Sequence, residues 1–163
     1  MAHFAKRNSA KRHSYRYAAG QAAAELALLA TTLVLMLGVA VEMGRLGYLA
    51  MTLDDAARAG AQYGAQSYTT DGNTSGMKTA ATNAASNIDG AKWWGSSAAF
   101  SASASTFCEC DNGTVVTCPG SCSSGAPIIY VQVKTQANFV PFLKIPGLPS
   151  TFTIHGLATM PVQ

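Results

Sequence analysis

Charged residues are scarce in this sequence, and they are unevenly placed. They make up 12% of the 163 residues, whereas 48% are hydrophobic. This composition excludes a disordered chain, because such chains combine low hydrophobicity with high net charge. The net charge of +3 does not predict nucleic-acid binding either. Five Lys/Arg lie in the first sixteen residues, and the remainder holds six Lys/Arg against eight Asp/Glu, which leaves no cationic surplus for phosphates.

Proline is missing from the first 118 residues, so nothing there interrupts a helix by removing a backbone donor. Residues 26–41 carry no charge, and Glu25 is the one charged residue in 21–41. About 20 mostly apolar residues suffice to cross a bilayer. We therefore predict a transmembrane helix over 21–42. The stretch is longer than the apolar region of a cleaved secretory signal, which is the alternative reading.

The basic residues that precede this stretch predict its orientation. Short basic segments flanking a span stay in the cytoplasm, so the N-terminus is expected inside and the chain after Glu42 outside the cytoplasm. The apolar pattern continues beyond the span with spacings of three and four, at Leu46, Leu49, Leu53, Ala56, Gly60 and Tyr63. This spacing predicts one buried helical stripe. We expect a single helix over 21–67, with 43–68 as its amphipathic continuation, ended by the turn-rich residues 69–76.

The remaining residues, 69–163, predict a small β-rich domain. A short Ala-rich helix is expected over 77–87 and a weak strand over 98–106. Residues 107–118, with Asp-Asn-Gly at the centre, are typical of a β-hairpin. The strongest strand signal lies over 128–136, with Ile129, Val131 and Val133 on one face. After a Pro-rich loop, 151–160 predict a last strand. The expected fold class is α+β, a long helix followed by a small antiparallel sheet.

The four cysteines lie within fifteen residues of one another, at Cys108, Cys110, Cys118 and Cys122. An even, clustered count outside the cytoplasm predicts two disulfides in the hairpin region, with three possible connectivities. Four thiolates could alternatively bind zinc. The spacing does not match paired CxxC motifs, and the absence of CxxC also disfavours a redox site.

Residues suited to catalysis are few. His3 and His13 belong to the N-terminal basic segment, which leaves His155 alone, and no nucleophile elbow, phosphate loop or HExxH motif occurs. We therefore expect no enzyme activity, no catalytic residues, no metal site and no cofactor. The adjacent Trp93 and Trp94 are interpreted as one buried and one half-exposed indole rather than as a binding site.

The segment from Gly20 to Ala65 resembles the TadE-like family of minor pseudopilins, which belong to tight-adherence (Flp) pilus and secretion machines. The residues that carry the resemblance are Gly20, Gln21, Glu25, Glu42, Gly44, Arg45, Ala56, Ala57, Arg58 and Gly60. Met43 stands where an aromatic residue is more usual, and Leu26 departs from the Glu-Tyr pair of major Flp pilins. The second departure favours a minor component over the main filament subunit.

The resemblance implies a basic leader, 1–20, that a prepilin peptidase removes between Gly20 and Gln21. It also implies that Glu25 pairs with the N-terminal amine of a neighbouring pilin. The alternative interpretation is that Glu25 is a carboxylate at the membrane surface, near the positive end of the helix dipole, where an acid is tolerated. The small pairs Gly60/Gly64 and Ala40/Gly44 allow close helix approach. The alternative for this face is packing against the protein's own sheet.

Glu42 and Arg45 are three residues apart and are expected to form an ion pair at the outer membrane boundary. Together, these observations favour a single-pass protein of the bacterial inner membrane with a pilin-like fold. Its expected partners are other pilins or pseudopilins, inner-membrane pilus assembly proteins and the prepilin peptidase. The rival hypothesis is a membrane-anchored extracytoplasmic binding module unrelated to pili.

Overall fold

The backbone of the structure, a computed structural model, is described for the following residues: 3–88, 92–93, 96–97, 99–123, 125–142, 147 and 149–163. Side chains are described from Gly20 onward within these ranges, except at 92–93 and 96–97. The side chains of the basic N-terminal segment and of Trp93 and Trp94 therefore lie outside the described residues. The chain divides into two units, Met1–Met43 and Gly44–Gln163.

The first helix, α1, is far longer than the sequence predicted. It covers His3–Ala65, so it begins 18 residues before the expected start at Gln21 and ends two residues before the expected end. No proline occurs in this range, and every backbone donor can therefore join the helical ladder. The early start shows that the predicted boundary between leader and span, at Gly20, is not a break in secondary structure.

The second helix, α2, covers Thr74–Ala84 and was expected over 77–87. It begins earlier because Asn73 caps it: the Asn73 side chain accepts a hydrogen bond from the Gly76 backbone N–H at 2.8 Å. Such a cap satisfies one of the free donors at a helix start. The turn-rich residues 69–76 were expected to form a loop, but the last of them form the cap and the first turn of α2.

The strands form two antiparallel sheets. β1 (Lys92–Trp93) pairs with β2 (Ser96–Ser97), a pairing that the sequence did not predict. The larger sheet has the order β4-β3-β5-β6. Its strands are β3 (Ser101–Glu109), β4 (Val115–Val116), β5 (Ile128–Phe139) and β6 (Phe152–Pro161). The predicted α+β architecture is confirmed. The strand expected over 98–106 and the first arm of the hairpin expected over 107–118 form one strand, β3, whereas β5 and β6 match their predictions with bounds shifted by up to three residues.

The predicted hairpin is the β3–β4 pair, in which Cys108 lies opposite Val116. Its turn contains Gly113 with φ +81°, a backbone conformation that favours glycine. The Gly113 N–H donates to the Cys110 carbonyl at 2.8 Å, which closes the turn. The Asp-Asn-Gly signal therefore identified the correct turn.

The core of the second unit lies between the sheet and the two helices. Alternate residues of β5 are buried, as the period-2 pattern predicted, and β5 contributes Val131 and Val133 to one cluster and Ala137 and Phe139 to another. The first cluster adds Ala57, Ala61, Met77, Ala81, Ala158 and Val162. The second adds Leu49, Leu53, Ala56, Ala85 and Ile88. The stripe predicted on α1 thus contributes to both clusters.

Candidate membrane and assembly site

The apolar stretch of α1 exposes large hydrophobic side chains on every face. Leu28, Leu33 and Met36 are 71%, 66% and 66% exposed, and their neighbours are similar. A helix that is apolar all round requires burial in lipid or in other protein. This stretch lies in a candidate membrane span near the N-terminus. The most apolar part of that span is not buried within the structure. It supplies the hydrophobic surface of the candidate site.

The predicted cleavage and pairing residues share one turn of this helix. Gly20 is exposed, and a Cβ atom placed there would meet nothing within 4 Å. The Gln21 side chain donates to the Glu25 carboxylate, with Nε2 and Oε1 3.2 Å apart. The carboxylate is thus held one helical turn from the peptide bond that the resemblance marks for cleavage. Both roles, cleavage at Gly20 and pairing by Glu25, stay predictions.

The two pairs of small residues lie in different surroundings. Ala40 and Gly44 are exposed, and a Cβ atom at Gly44 would meet nothing within 4 Å. At Gly60, a Cβ atom would lie 2.8 Å from the Met77 backbone oxygen, and at Gly64 2.7 Å from the Met77 side chain. The chain's own α2 therefore occupies the Gly60/Gly64 face, together with Val133 and Val131 of β5 at 3.1 Å, whereas the intramolecular alternative had named the sheet alone. The open pair, Ala40 and Gly44, is the better candidate for helix pairing.

Arg45 is buried, and two aromatic rings lie against it. Its guanidinium carbon is 5.2 Å from the centroid of the Phe139 ring and 4.0 Å from that of Phe142. These distances fall within the range of cation–π attraction. Sequence spacing identified Glu42 as the partner of Arg45, and that ion pair stays a prediction. The aromatic partners lie more than ninety residues away along the chain, so no local pattern could have identified them.

The cysteines form two disulfides, Cys108–Cys118 and Cys110–Cys122. The Cα atoms are 5.4 and 5.7 Å apart, which suits a disulfide. Cys108, near the end of β3, and Cys110, just after it, are each joined to a cysteine in the segment that follows β4. Because all four cysteines are paired, none is available as a zinc ligand. The structure thus selects one of the three connectivities that the sequence left open.

The TadE-like protein family model matches residues 20–62 of this chain. Residues 20–62 are TadE-like. The match confirms the resemblance and connects the chain with pilin-like proteins of Tad pili. Neither the comparison with curated proteins nor the comparison with solved structures found a match.

The TadE-like segment contains Gly20, Gln21 and Glu25 together with the small pair Ala40 and Gly44. It covers roughly a quarter of the chain and ends before α2, the sheet and both disulfides. The family match therefore covers the candidate membrane span and the first part of its continuation. It does not describe the β-rich region.

Sequence reasoning considered packing of α1 against the sheet but did not identify the residues at their closest approach. The Thr135 hydroxyl donates to the Leu53 backbone carbonyl at 2.8 Å, and both residues are buried. A Cβ atom at Gly156 would lie 2.6 Å from that same carbonyl oxygen, so glycine is required for the helix to come this near. A threonine on the buried face of a strand and a glycine on its neighbour were the available signals.

Among the residues whose side chains are described, no three His, Cys, Asp or Glu side chains come together as a metal-binding group. His155 is exposed on β6.

Proposed function

We propose that the protein is a minor pilin-like component, a pseudopilin, of a Tad/Flp pilus or of a related secretion system. The observation that carries this proposal is a coincidence of two features. The TadE-like segment contains the helix whose large apolar side chains are exposed on all faces. Burying each of those side chains in lipid or against other helices contributes about 1.5–3 kcal/mol. Membrane insertion followed by helix association explains why they are exposed in a single chain.

In this proposal the helix spans the bacterial inner membrane once, with its basic N-terminus in the cytoplasm and the β-rich unit outside. A prepilin peptidase removes residues 1–20, which creates a new amine at Gln21. The partners are other pilins or pseudopilins and the inner-membrane assembly proteins of the pilus. The open pair Ala40/Gly44 lets a neighbouring helix approach closely, since small residues at an interface bring two backbones together.

Glu25 then sets the register between neighbouring helices. A carboxylate in a membrane costs roughly 2.5–3.5 kcal/mol at mid-bilayer and less toward an interface. Pairing with the amine of a neighbouring chain offsets this cost. Within its own chain, Glu25 accepts one hydrogen bond from Gln21, and its side chain is otherwise exposed. The acid is therefore positioned to meet a charge supplied by another subunit.

The rival function, a membrane-anchored extracytoplasmic binding module, has one observation in its favour. The family match ends at residue 62, whereas the unit Gly44–Gln163 has a core and disulfides of its own. A module of that kind would keep its anchor for attachment alone. It would need neither leader removal nor Glu25.

The experiment compares wild type with Glu25→Ala, Leu29→Ala and Gly20→Leu in native membranes at equal protein levels. Leu29→Ala is the matched control, because Leu29 is an exposed apolar residue one turn beyond Glu25. We expect a mature N-terminus at Gln21 in the first three proteins. Gly20→Leu should stay uncut, because its bulky side chain blocks the peptidase. The substitution should not disturb the fold, since a Cβ atom at this position meets nothing within 4 Å. Peptide mapping by mass spectrometry reads this out.

Crosslinking to co-purifying pilus components is the second readout. Leaving a buried partner charge unpaired costs roughly 3–5 kcal/mol, so Glu25→Ala should lower crosslinking at least tenfold while Leu29→Ala lowers it much less. Equal crosslinking in the two variants would remove the register role from Glu25. A wild-type chain that keeps Met1 in native membranes would contradict the pseudopilin and support the binding module.

A further inference from the structure

The larger sheet has two edges that no other strand in the described part of the chain covers. β6 is the last strand in the order β4-β3-β5-β6, so one of its sides is open. At the opposite edge, β4 is two residues long and pairs with Cys108 and Glu109 of β3. The rest of β3, residues 101–107, is therefore open on that side. Both edges belong to the unit Gly44–Gln163.

Hydrogen bonds show which backbone groups of β6 face outward. The Val162 N–H donates to the Ile129 carbonyl at 2.9 Å, so Val162 directs its backbone groups toward β5. These groups alternate in direction along an antiparallel strand, and the register between β5 and β6 is continuous. The residues of β6 whose backbone groups point away from β5 are therefore Thr153, His155, Leu157 and Thr159. None of these backbone groups has a hydrogen-bond partner among the described residues.

The open part of β3 is identified in the same way. The N–H of Cys110, just after β3, donates to the Thr114 carbonyl at 3.0 Å, so even-numbered residues of β3 direct their backbone groups away from β5. Those with no facing strand are Ala102, Ala104 and Thr106, and the described residues offer their backbone groups no partner either. Both edges thus present a row of open donors and acceptors.

These edges lack the features that usually keep sheet edges from pairing. Natural edge strands are blunted by charged side chains, proline or a bulge. Neither β6 nor residues 101–107 contain Asp, Glu, Lys or Arg, and the one proline among them, Pro161, is the last residue of β6. Leu157, within the open row of β6, is 58% exposed. An uncharged edge of this kind is a template for another strand.

We infer that β6 of one copy pairs with β3 of a second copy, so that the sheet continues from one copy to the next. β3 and β6 are both antiparallel to β5 and therefore run in the same direction. A second copy displaced sideways along the sheet places its β3 beside β6 as a parallel strand. Because the two edges differ, the contact is head-to-tail and can repeat. A repeating contact suits a component of a multi-subunit assembly.

A symmetric pairing of β6 with β6 of a second copy would make these strands antiparallel and would invert one copy. The head-to-tail contact does not: sheet twist over the three strand steps between equivalent strands turns the second copy by roughly 60–75°. Copies whose helices enter one membrane in the same direction are not inverted, provided that their two units are arranged alike. The preference for β3 therefore rests on the membrane-spanning part of the proposed function.

The test identifies the strands that meet by photocrosslinking in the full chain. Leu157 is replaced by the photoreactive amino acid benzoylphenylalanine, which leaves the outward backbone groups of β6 in place. The matched control carries it at Lys134, which is also exposed and lies opposite Leu157, one strand further from the edge. Isotope-labelled and unlabelled chains are mixed in vesicles of phosphatidylcholine and phosphatidylglycerol, so that mass spectrometry separates crosslinks between copies from crosslinks within one copy.

We expect the crosslinks between copies from position 157 to end in residues 101–107. Their yield should be at least about threefold above that from position 134, because each strand adds about 4.8 Å to the distance. Crosslinks that end in β6 of the second copy would overturn the inference and indicate the inverted pair. A yield between copies no higher than that of the control would also overturn it.

Two charge variants test the same contact without changing the backbone. Ser105 on β3 and Thr159 on β6 are exposed on one face, with Gln132 between them in their own chain. Ser105→Glu with Thr159→Glu places like charges on the two facing edges, whereas Ser105→Lys with Thr159→Glu places opposite charges there. We expect at least about threefold less crosslinking from position 157 in the first variant than in the second. Equal crosslinking would overturn the inference.

Flotation of the vesicles after alkaline washing separates failure of the inference from failure of the proposed function. Protein that floats without crosslinks from β6 to β3 would contradict the strand pairing alone. Crosslinks from β6 to β3 in protein that does not float would support the pairing and contradict the spanning helix alone.

Discussion

The two stretches of α1, residues 20–43 and 44–65, have the same secondary structure but opposite surfaces. In the first, large apolar side chains are exposed all round, as at Leu33, which is 66% exposed. In the second, most of them form one buried stripe, as at Leu53, which is 0% exposed, although Met51 is 71% exposed. Because both stretches are helical, helix formation does not explain why one surface is exposed and the other buried. The arrangement of apolar residues around the axis decides whether a helix needs an external partner or packs on its own domain.

The small residues of the two stretches also differ in their surroundings. Gly44 lies in open space, whereas Gly60 faces the Met77 backbone and Val133. Both occur in similar sequence patterns, four residues from another small residue. A Cβ atom on the first surface would meet nothing within 4 Å, whereas α2 and β5 already occupy the second. A small-residue motif therefore indicates close packing without indicating the partner.

The largest expected contrast between the two stretches comes from a pair of identical substitutions. Leu53→Ala should lower the free energy of unfolding of the second unit by about 2–5 kcal/mol, because it leaves a cavity in the core. Leu33→Ala should change it by less than about 0.5 kcal/mol, because Leu33 is 66% exposed and its loss leaves no cavity in that core. Pulse proteolysis in urea, on the detergent-solubilised full chain with disulfides intact, measures both. Equal losses would show that the two stretches do not differ as the structure describes.

A smaller contrast is expected for the glycines. Gly60→Ala should destabilise the same unit, because overpacking costs about 1–3 kcal/mol and exceeds the roughly 0.5–1 kcal/mol gained by removing glycine from a helix. Gly44→Ala should leave stability unchanged or raise it, since its new methyl group meets nothing within 4 Å. The same unfolding assay applies. A stabilised Gly60→Ala variant would mean that α2 can retreat from α1 without loss.

The smallest expected effect tests the hydrogen bond between α1 and β5. Thr135→Val keeps the side-chain shape but removes the hydroxyl that donates to the Leu53 carbonyl, for a loss of about 0.5–1.5 kcal/mol. Thr153→Val is the control, because its hydroxyl bonds to Asn138 at the exposed face of the sheet. We expect the control to change the unfolding free energy by less than about 0.5 kcal/mol. If the two variants lost the same free energy of unfolding, the buried hydrogen bond would contribute no stability beyond packing.

Sequence reasoning succeeded where the signal is local. The uncharged run, the stripe on α1, the alternation in β5 and the Asp-Asn-Gly turn each depend on residues within a few positions of one another. It failed at the start of α2, because the Asn73 cap and the burial of Met77 and Ala81 outweigh the loop-like composition of 69–76. It also placed the start of α1 at Gln21, since it treated the end of the leader as a structural boundary.

The sequence by itself determined the uncharged apolar run, the order of the helices and of the strands in the larger sheet, the clustering of cysteines and the TadE-like character of residues 20–62. Only the tertiary structure decided which cysteines pair, which small residues stay open, and which aromatic rings meet Arg45. Each of these outcomes joins residues ten to nearly a hundred positions apart, as in the bond from Thr135 to Leu53. Such contacts depend on how the sheet and the two helices pack, and periodicity along the chain carries no information about that packing.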